Sequence, residues 1–260
     1  MKRKIYTFGS DARLDFCRSF LEGRAGEGSA VYILPIPSTR DGEKITGTEI
    51  LLSDFFKGVE SGEYVLAYGI PSRFAEELGK KGAALIDASL DEEYLEKGAE
   101  LTVHGALVRI LASQKRSPAD LRFGIIGYGR IGRRLAELLT FLGADVTVFT
   151  SRIRLREDLG RLGIRAVCNY ELPLLRDGGG GLENPLSALD ILINCAPARV
   201  LSEEDAQYLS GASVFELASG DNIPENIPYL PLPALPAKMF PESAGIAYAQ
   251  VALRNLFQNK

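Results

Sequence analysis

The 260-residue sequence contains no tryptophan, one histidine and three cysteines, and these scarcities narrow its chemistry. A metal site built from several histidines is impossible, because His104 is the only histidine in the chain. Cys17, Cys168 and Cys195 are odd in number, widely spaced and set among apolar residues. That pattern favours small core side chains over a thiol catalyst. We expect neither a bound metal nor a cysteine nucleophile.

Long apolar runs and an excess of basic charge are also missing. No segment approaches the roughly 18 apolar residues of a membrane span, and the basic start of the chain lacks an apolar stretch of signal-peptide length. Thirty Lys and Arg against 34 Asp and Glu give a net charge of −4, which offers no broad basic face for nucleic acid. We expect a cytoplasmic protein that binds neither membranes nor nucleic acid.

The composition, with 46% hydrophobic and 25% charged residues, is that of a globular chain with one large or two modest domains. Strand-like and helix-like stretches alternate along the first hundred residues, which predicts a small flavodoxin-like α/β domain with a parallel sheet. We assign residues 1–102 and a terminal helix at 242–258 to this domain. Residues 103–118 are interpreted as a connector helix and linker, beside which the terminal helix is expected to pack.

The second half of the chain, residues 119–241, has the pattern of a doubly wound Rossmann domain. A β-rich strand runs directly into a glycine-rich turn and an amphipathic helix, and the strand-helix alternation then continues. The run Asp177-Gly178-Gly179-Gly180-Gly181 interrupts this alternation and is interpreted as a mobile insertion.

The glycine-rich turn predicts a dinucleotide site. In the pattern GxGxxG, the first glycine permits the tight turn, the second lets the backbone approach a pyrophosphate, and the third lets helix and strand pack closely. The helix N-terminus adds N–H groups for the phosphates. The alternative is a purely structural tight turn. The residues of the predicted site are Gly127, Tyr128, Gly129, Arg130, Ile131 and Gly132.

The end of the next predicted strand favours NADP over NAD. An NAD site has an acidic residue there for the adenosine ribose, whereas this strand ends in Thr150, Ser151 and Arg152. A guanidinium and two hydroxyls suit the 2′-phosphate of NADP, unless Arg152 only lies on a solvated loop. A later predicted strand is followed by a loop of small residues, Cys195, Ala196 and Pro197. This loop either offers the dinucleotide a flat contact surface or is an ordinary strand-to-helix turn.

Several motifs together resemble a known family. They are Gly9-Ser10-Asp11-Ala12-Arg13 after the first strand, the glycine-rich turn, Ser151-Arg152, the loop at residues 194–198, Glu216-Leu217-Ala218-Ser219, and Leu235-Pro236-Ala237 leading into Pro241-Glu242-Ser243-Ala244-Gly245. In this order they resemble the A subunit of bacterial dipicolinate synthase, a family similar in architecture to 2-hydroxyacid dehydrogenases. The resemblance covers most of the chain and is thin between residues 22 and 97.

This resemblance implies NADP-dependent dehydrogenation of a cyclic dihydrodipicolinate-like dicarboxylate to dipicolinate in sporulating bacteria. It also implies a homodimer and a partner protein, the flavoprotein-like B subunit of the synthase. A dicarboxylate needs cationic or N–H donors, for which we select Arg13, held by Asp11, and the helix start at Ser243 and Gly245. His104 is the candidate for general acid–base work, although a histidine at a helix start also serves as a cap.

Two other functions stay open. No histidine follows His104, so the late histidine of 2-hydroxyacid dehydrogenases is missing and their strict mechanism is disfavoured. The family also has an acidic residue near His104 and a lysine in place of Glu242, so this chain is alternatively a paralogue with another substrate. A scaffold or sensor protein that holds NADP without catalysis is the alternative from a different functional class.

Overall fold

The structure, a computed structural model, describes residues 2–176 and 183–258. The predicted mobile insertion at residues 177–181 therefore lies outside the described residues. The chain divides into two compact units, Met1–Leu101 with Pro236–Lys260, and Thr102–Leu235. Within the described ranges, no helix combines the length and the apolar character that crossing a bilayer requires.

The first unit is built on a parallel sheet of four strands in the order β1-β2-β3-β4. In chain order the elements are β1 (Ile5–Thr7), α1 (Ala12–Leu21), β2 (Val31–Ile33), α2 (Leu52–Gly58), β3 (Tyr64–Ala67), α3 (Ser72–Lys80), β4 (Ala84–Asp87) and α4 (Glu92–Ala112). Side chains alternate between two cores: Val31 and Ile33 enter one, while Tyr32 packs against the other. Both faces of the sheet are therefore covered, as expected for parallel strands.

The second unit contains a parallel sheet of six strands in the order β10-β9-β8-β5-β6-β7. From its first strand to the end of the described chain the elements are β5 (Arg122–Ile126), α5 (Arg130–Phe141), β6 (Asp145–Thr150), α6 (Leu155–Arg161), β7 (Arg165–Cys168), α7 (Leu172–Arg176), β8 (Ile191–Asn194), β9 (Ser213–Glu216), β10 (Leu230–Pro231), α8 (Leu235–Met239) and α9 (Pro241–Gln258), of which α9 belongs to the first unit. This is the 3-2-1-4-5-6 order of a Rossmann sheet, in which the order reverses between β5 and β8. The predicted α/β class with two parallel sheets is confirmed.

Helix α4 corrects the predicted connector helix. The prediction begins it at residue 103, but the helix begins at Glu92 and includes Gly98. A side chain at Gly98 would meet open space, so this glycine lies in the helix without any packing demand. Glu92 and Glu93 in the first turn suit the positive end of the helix dipole. His104 is therefore an interior position of α4 and not a helix start.

Helix α9 packs mainly against α1 and also contacts the first turn of α4, where the rings of Tyr94 and Tyr248 lie 5.6 Å apart. Tyr248 of α9 is fully buried in the core that contains Leu14 and Cys17 of α1, and its hydroxyl donates to the carbonyl of Leu34 at 3.2 Å. Gly245 permits this approach, because a Cβ there would lie 2.4 Å from the Arg13 carbonyl oxygen. The small residue brings the two helix backbones together.

We therefore expect Gly245→Ala to destabilise the first unit. The added methyl would meet backbone atoms that cannot rotate away, and overpacking of this kind costs about 1–3 kcal/mol. The matched control is Gly79→Ala in α3, where a Cβ meets no atom within 4 Å. That control should keep or raise stability, since alanine favours helix. Thermal unfolding measures both variants, and equal midpoints would contradict the close packing of α9 on α1.

Candidate functional site

The β5–α5 turn contains three glycines with different structural demands. Gly127 has a φ of +92°, and its Cβ would lie 3.1 Å from the Cβ of Ala196. A Cβ at Gly132 would lie 2.0 Å from the Gly127 carbonyl oxygen. Gly129, in contrast, has extended backbone, and its Cβ would meet nothing within 4 Å. The protein itself requires glycine at the first and third positions, whereas the second borders open space.

Helix α5 presents its N-terminus beside this open space. Gly129 is the N-cap residue and supplies no side-chain acceptor for the first N–H groups. The first turn contains no acidic residue and begins with Arg130. Because the first N–H groups of a helix lack partners within it and carry the positive end of the dipole, they suit a phosphate. The turn therefore has the room and the donors that a pyrophosphate requires.

Arg152 reaches this turn from the end of β6. Its backbone N–H donates to Thr150 Oγ1 at 3.2 Å, and its guanidinium donates to the carbonyl oxygen of Tyr128. Thr150 is buried, while Ser151 and Arg152 are exposed. Of the other arginines close behind, Arg156 is paired with Glu171 at 2.5 Å. Arg152 is thus the cation that the fold places against the glycine-rich turn.

Two strand ends hold a buried amide and carboxyl together. Asn194 ends β8 and Glu216 ends β9, in register with each other. The Asn194 amide donates to both Glu216 carboxyl oxygens, at 3.1 and 2.9 Å, and the N–H of Ala218 donates to Oε1 at 2.8 Å. Burial raises the pKa of Glu216 above its ordinary value, although these hydrogen bonds oppose the rise. A titratable group therefore lies at the carboxyl edge of the sheet.

The loop after β8 continues from this pair. The N–H of Cys195 donates to the Ile126 carbonyl at 2.8 Å, and the N–H of Ala196 donates to Asn194 Oδ1 at 3.1 Å. Burial, and secondarily the charge of Glu216, raises the pKa of the Cys195 thiol, so it is not a ready nucleophile. Pro197 is exposed. The loop is fixed against the glycine-rich turn by Ala196.

A pocket of about 650 Å³ lies past the ends of β7 and β8 in the same unit. Asn169, Arg199 and Ser202 contribute to its lining. Asn169 Oδ1 is buried and, within residues 2–176 and 183–258, has no hydrogen-bond partner. A buried acceptor without a donor is costly in a folded protein, so a ligand N–H group would satisfy it. The pocket and the glycine-rich turn both follow carboxyl ends of strands of this sheet, where ligands bind in such folds.

Asp11 and Arg13 form a bidentate ion pair in the first unit. Arg13 Nε lies 2.9 Å from Asp11 Oδ1, and an Arg13 terminal nitrogen lies 2.5 Å from Oδ2. Asp11 also caps α1 by accepting from the Arg13 N–H, and Arg13 donates to the Ile36 carbonyl at 2.6 Å. Burial raises the pKa of Asp11, but the hydrogen bonds from Arg13 outweigh it and hold the pKa below its usual value. The predicted pair forms, and most of the guanidinium is engaged within the protein.

The other predicted substrate-site residues have varied surroundings. His104 is exposed in the middle of α4. Ser243 is exposed in the first turn of α9, where the next N–H, that of Ala244, already donates to the Phe240 carbonyl at 3.0 Å. Gly245 is buried against α1. Their roles in binding and catalysis stay predictions.

Sequence reasoning misses two polar residues of this region. Glu216 stands out in the sequence only as part of a family motif, and Asn169 does not stand out. A signal for Glu216 exists, because it ends a predicted strand as Asn194 does, and parallel strands end at one edge. Asn169 carries no such signal, because its unpaired oxygen becomes visible only in the folded chain.

No protein-family model matches the chain, and no curated protein matches it in sequence. Solved structures do match. The A subunit of dipicolinate synthase from Bacillus halodurans has a TM-score of 0.76 at 18% identity, covering 98% of each chain. The dipicolinate synthase A chain from Bacillus subtilis has a TM-score of 0.73 at 18% identity, covering 99% of this chain and 97% of that one.

A D-isomer specific 2-hydroxyacid dehydrogenase from Lactobacillus delbrueckii ssp. bulgaricus, in its NAD-complexed form, has a TM-score of 0.50 at 14% identity. The match covers 99% of this chain and 96% of that one. At such identities the similarity establishes the fold, and at that level the resemblance expected from the motifs is confirmed. The chain has the fold of the dipicolinate synthase A chain, an α/β fold that nicotinamide-dependent dehydrogenases also use.

Proposed function

We propose that the chain is an NADP-dependent dehydrogenase that oxidises a cyclic dihydrodipicolinate-like dicarboxylate to dipicolinate. The observation that carries the cofactor assignment is the open space at Gly129 with Arg152 directly beside it. A glycine that no protein contact requires is explained by a ligand that approaches the backbone there. The substrate assignment is supported by the similarity in fold to two dipicolinate synthase A chains.

Different residues of the second unit bind different parts of the dinucleotide. The N–H groups at the start of α5 take the pyrophosphate, and Arg152 with the hydroxyl of Ser151 takes the 2′-phosphate. Asn169 Oδ1 accepts from the adenine amino group. Ala196 and Pro197 give a flat contact surface near the nicotinamide. Bound NADP⁺ supplies the hydride acceptor of the reaction.

Formation of the aromatic ring removes a hydride and a proton from the dihydropyridine ring. We assign the proton to the Glu216 carboxylate, which lies at the carboxyl edge of β9 with its oxygens oriented by Asn194 and Ala218. Its raised pKa makes it a better base than an exposed carboxylate. His104 is the alternative acceptor, and its exposed place on α4 gives it no orienting partner of this kind.

An NADP-binding protein without catalysis is the second candidate function, and the Asp11–Arg13 pair favours it. An arginine already held by a carboxylate and a carbonyl has less capacity for a substrate. In this form the chain would act with a flavoprotein-like B chain, as the lettered name of the dipicolinate synthase A chain suggests. A cytoplasmic homodimer is proposed for either function. Turnover by the purified chain separates the two.

Titration of the purified protein with NADPH and NADH, read by nicotinamide fluorescence, tests the cofactor and substrate together. The absence of tryptophan leaves this signal undisturbed. We expect tighter binding of NADPH than of NADH, and a change in the NADPH signal when dipicolinate is added. No binding of either nucleotide would overturn the cofactor proposal. If NADPH binds but its signal does not change on addition of dipicolinate, the cofactor proposal is retained and the substrate proposal is overturned.

Gly129→Ala and Gly132→Ala should separate binding from folding. The methyl at residue 129 enters open space, so the unfolding midpoint stays near wild type while NADPH affinity falls by about tenfold or more. The methyl at residue 132 meets the Gly127 carbonyl, so the midpoint itself falls by several degrees. Calorimetry and fluorescence titration measure the two effects. Unchanged NADPH affinity in Gly129→Ala would contradict a pyrophosphate at this turn.

Arg152→Ala should remove the preference for NADPH. Loss of a charge-assisted hydrogen bond to phosphate costs about 1.5–3 kcal/mol, or roughly 10- to 100-fold in NADPH affinity, while NADH affinity changes little. Arg161→Ala is the matched control, because Arg161 is an exposed arginine of α6 paired with Asp158. If both nucleotides weaken equally in Arg152→Ala, the 2′-phosphate assignment is wrong.

The pH profile tests Glu216. A base is active when deprotonated, so kcat/KM should fall as the pH drops below the raised pKa of Glu216, which lies above the ordinary 4.5. Glu216→Gln should lower kcat by about 10²-fold and abolish this acid limb. Glu157→Gln, a change to an exposed carboxylate of α6, should leave the profile intact. An unchanged acid limb in Glu216→Gln would assign the proton to another group.

A further inference from the structure

A second pocket, of about 480 Å³, opens in the first unit past the carboxyl ends of β1 and β2. It is lined by Ser10 of the β1–α1 turn and by seven residues between Arg40 and Thr48. Ligands of parallel α/β sheets bind outside the carboxyl ends of the strands. The place of this pocket in the fold is therefore that of a ligand site, and none of the predicted site residues lines it.

Thr46, one of the residues that line this pocket, has a buried hydroxyl. Thr46 Oγ1 finds no hydrogen-bond partner among the residues that the structure describes. Its backbone is fixed from two sides, because the Thr46 N–H donates to the Ser38 carbonyl at 2.9 Å and a Cβ at Gly9 would lie 2.9 Å from the Thr46 carbonyl oxygen. Buried hydroxyls are normally satisfied. A ligand oxygen that accepts from Thr46 would satisfy this one.

The charged side chains that line the pocket differ in whether they are already paired within the protein. Asp41 directs its carboxylate into its own turn, where it accepts from the N–H groups of Lys44 and Glu43 and from Thr39; these bonds lower its pKa. The Lys44 ammonium is paired with Glu49 at 2.5 Å. Arg40 is exposed, and within the described part of the chain no hydrogen bond or ion pair engages it. Its planar guanidinium matches a carboxylate.

The Asp11–Arg13 pair supports this pocket from beneath. Arg13 donates to the Ile36 carbonyl, and two residues later the Ser38 hydroxyl donates to the Pro35 carbonyl and accepts from the Tyr68 N–H, both at 2.8 Å. Ser38 in turn holds the Thr46 N–H. Arg13 is therefore linked to the pocket wall through Ile36 and Ser38, which makes it a positioning residue.

We propose that this pocket binds one carboxylate of the dicarboxylate substrate, with Arg40 as its ion-pair partner and the Thr46 hydroxyl as a hydrogen-bond donor. The identity of the ligand rests on the proposed function, whereas the location of the site is argued from residues of the first unit alone. It replaces Arg13 as the direct carboxylate ligand.

Calorimetric titration of dipicolinate into the full chain without nucleotide tests the proposal. Arg40→Gln should weaken dipicolinate binding by tenfold or more, and Thr46→Val should weaken it several-fold. Thr46→Ser, which retains the hydroxyl, should bind nearly as wild type. Arg18→Gln is the control, because Arg18 is an exposed arginine of α1 paired with Glu22 outside the pocket. Thermal unfolding and NADPH titration of each variant establish that the chain is folded.

Three results would overturn the proposal in distinguishable ways. If the Arg40→Gln and Thr46→Val variants bind dipicolinate as tightly as the wild type does, the pocket assignment is wrong and the proposed dicarboxylate substrate is retained. If dipicolinate does not bind while NADPH does, the substrate of the proposed function fails together with this site. If inorganic phosphate binds more tightly than dipicolinate with the same dependence on Arg40, the pocket is a general anion site rather than a substrate site.

Discussion

The close approach of helix α5 to the end of strand β5 is the constraint on which the candidate dinucleotide site depends. Two glycines make it possible: Gly127 adopts a positive φ, and Gly132 lies where a Cβ would be 2.0 Å from the Gly127 carbonyl oxygen. This contact directs the first N–H groups of α5 toward the carboxyl edge of the sheet. Arg152, Ala196 and the open space at Gly129 are arranged around it, so the binding surface follows from a backbone contact.

Strand register organises the polar groups of the same edge. Asn194 and Glu216 are partners across β8 and β9, and the carboxyl group is held by the Asn194 amide and the Ala218 N–H. Burial then raises the pKa of that carboxyl. A sheet thereby supplies an oriented acid without a histidine. This accounts for how a chain with a single histidine retains a group suited to proton transfer at its sheet edge.

The second sheet could be predicted well from the sequence because its signals are local. Strand β6 ends at Thr150, at the predicted strand end, because a run of β-forming residues leads up to it. Helix α4 is longer than predicted, and only the fold shows that Gly98 borders open space. Helix α2 was not predicted, because its place is decided by which apolar face is buried in a core rather than by periodicity.

Dependence on the fold also explains why the roles of the charged residues were the hardest to assign from the sequence. Arg13, Arg40 and Arg152 are equally charged, yet the fold engages the first with Asp11 and Ile36, leaves the second exposed at a pocket, and sets the third against a backbone carbonyl. With a net charge of −4, the chain has no general field that attracts anions. Binding of the proposed anionic cofactor and dicarboxylate would then depend on single arginines held in place, so what surrounds each guanidinium decides its role.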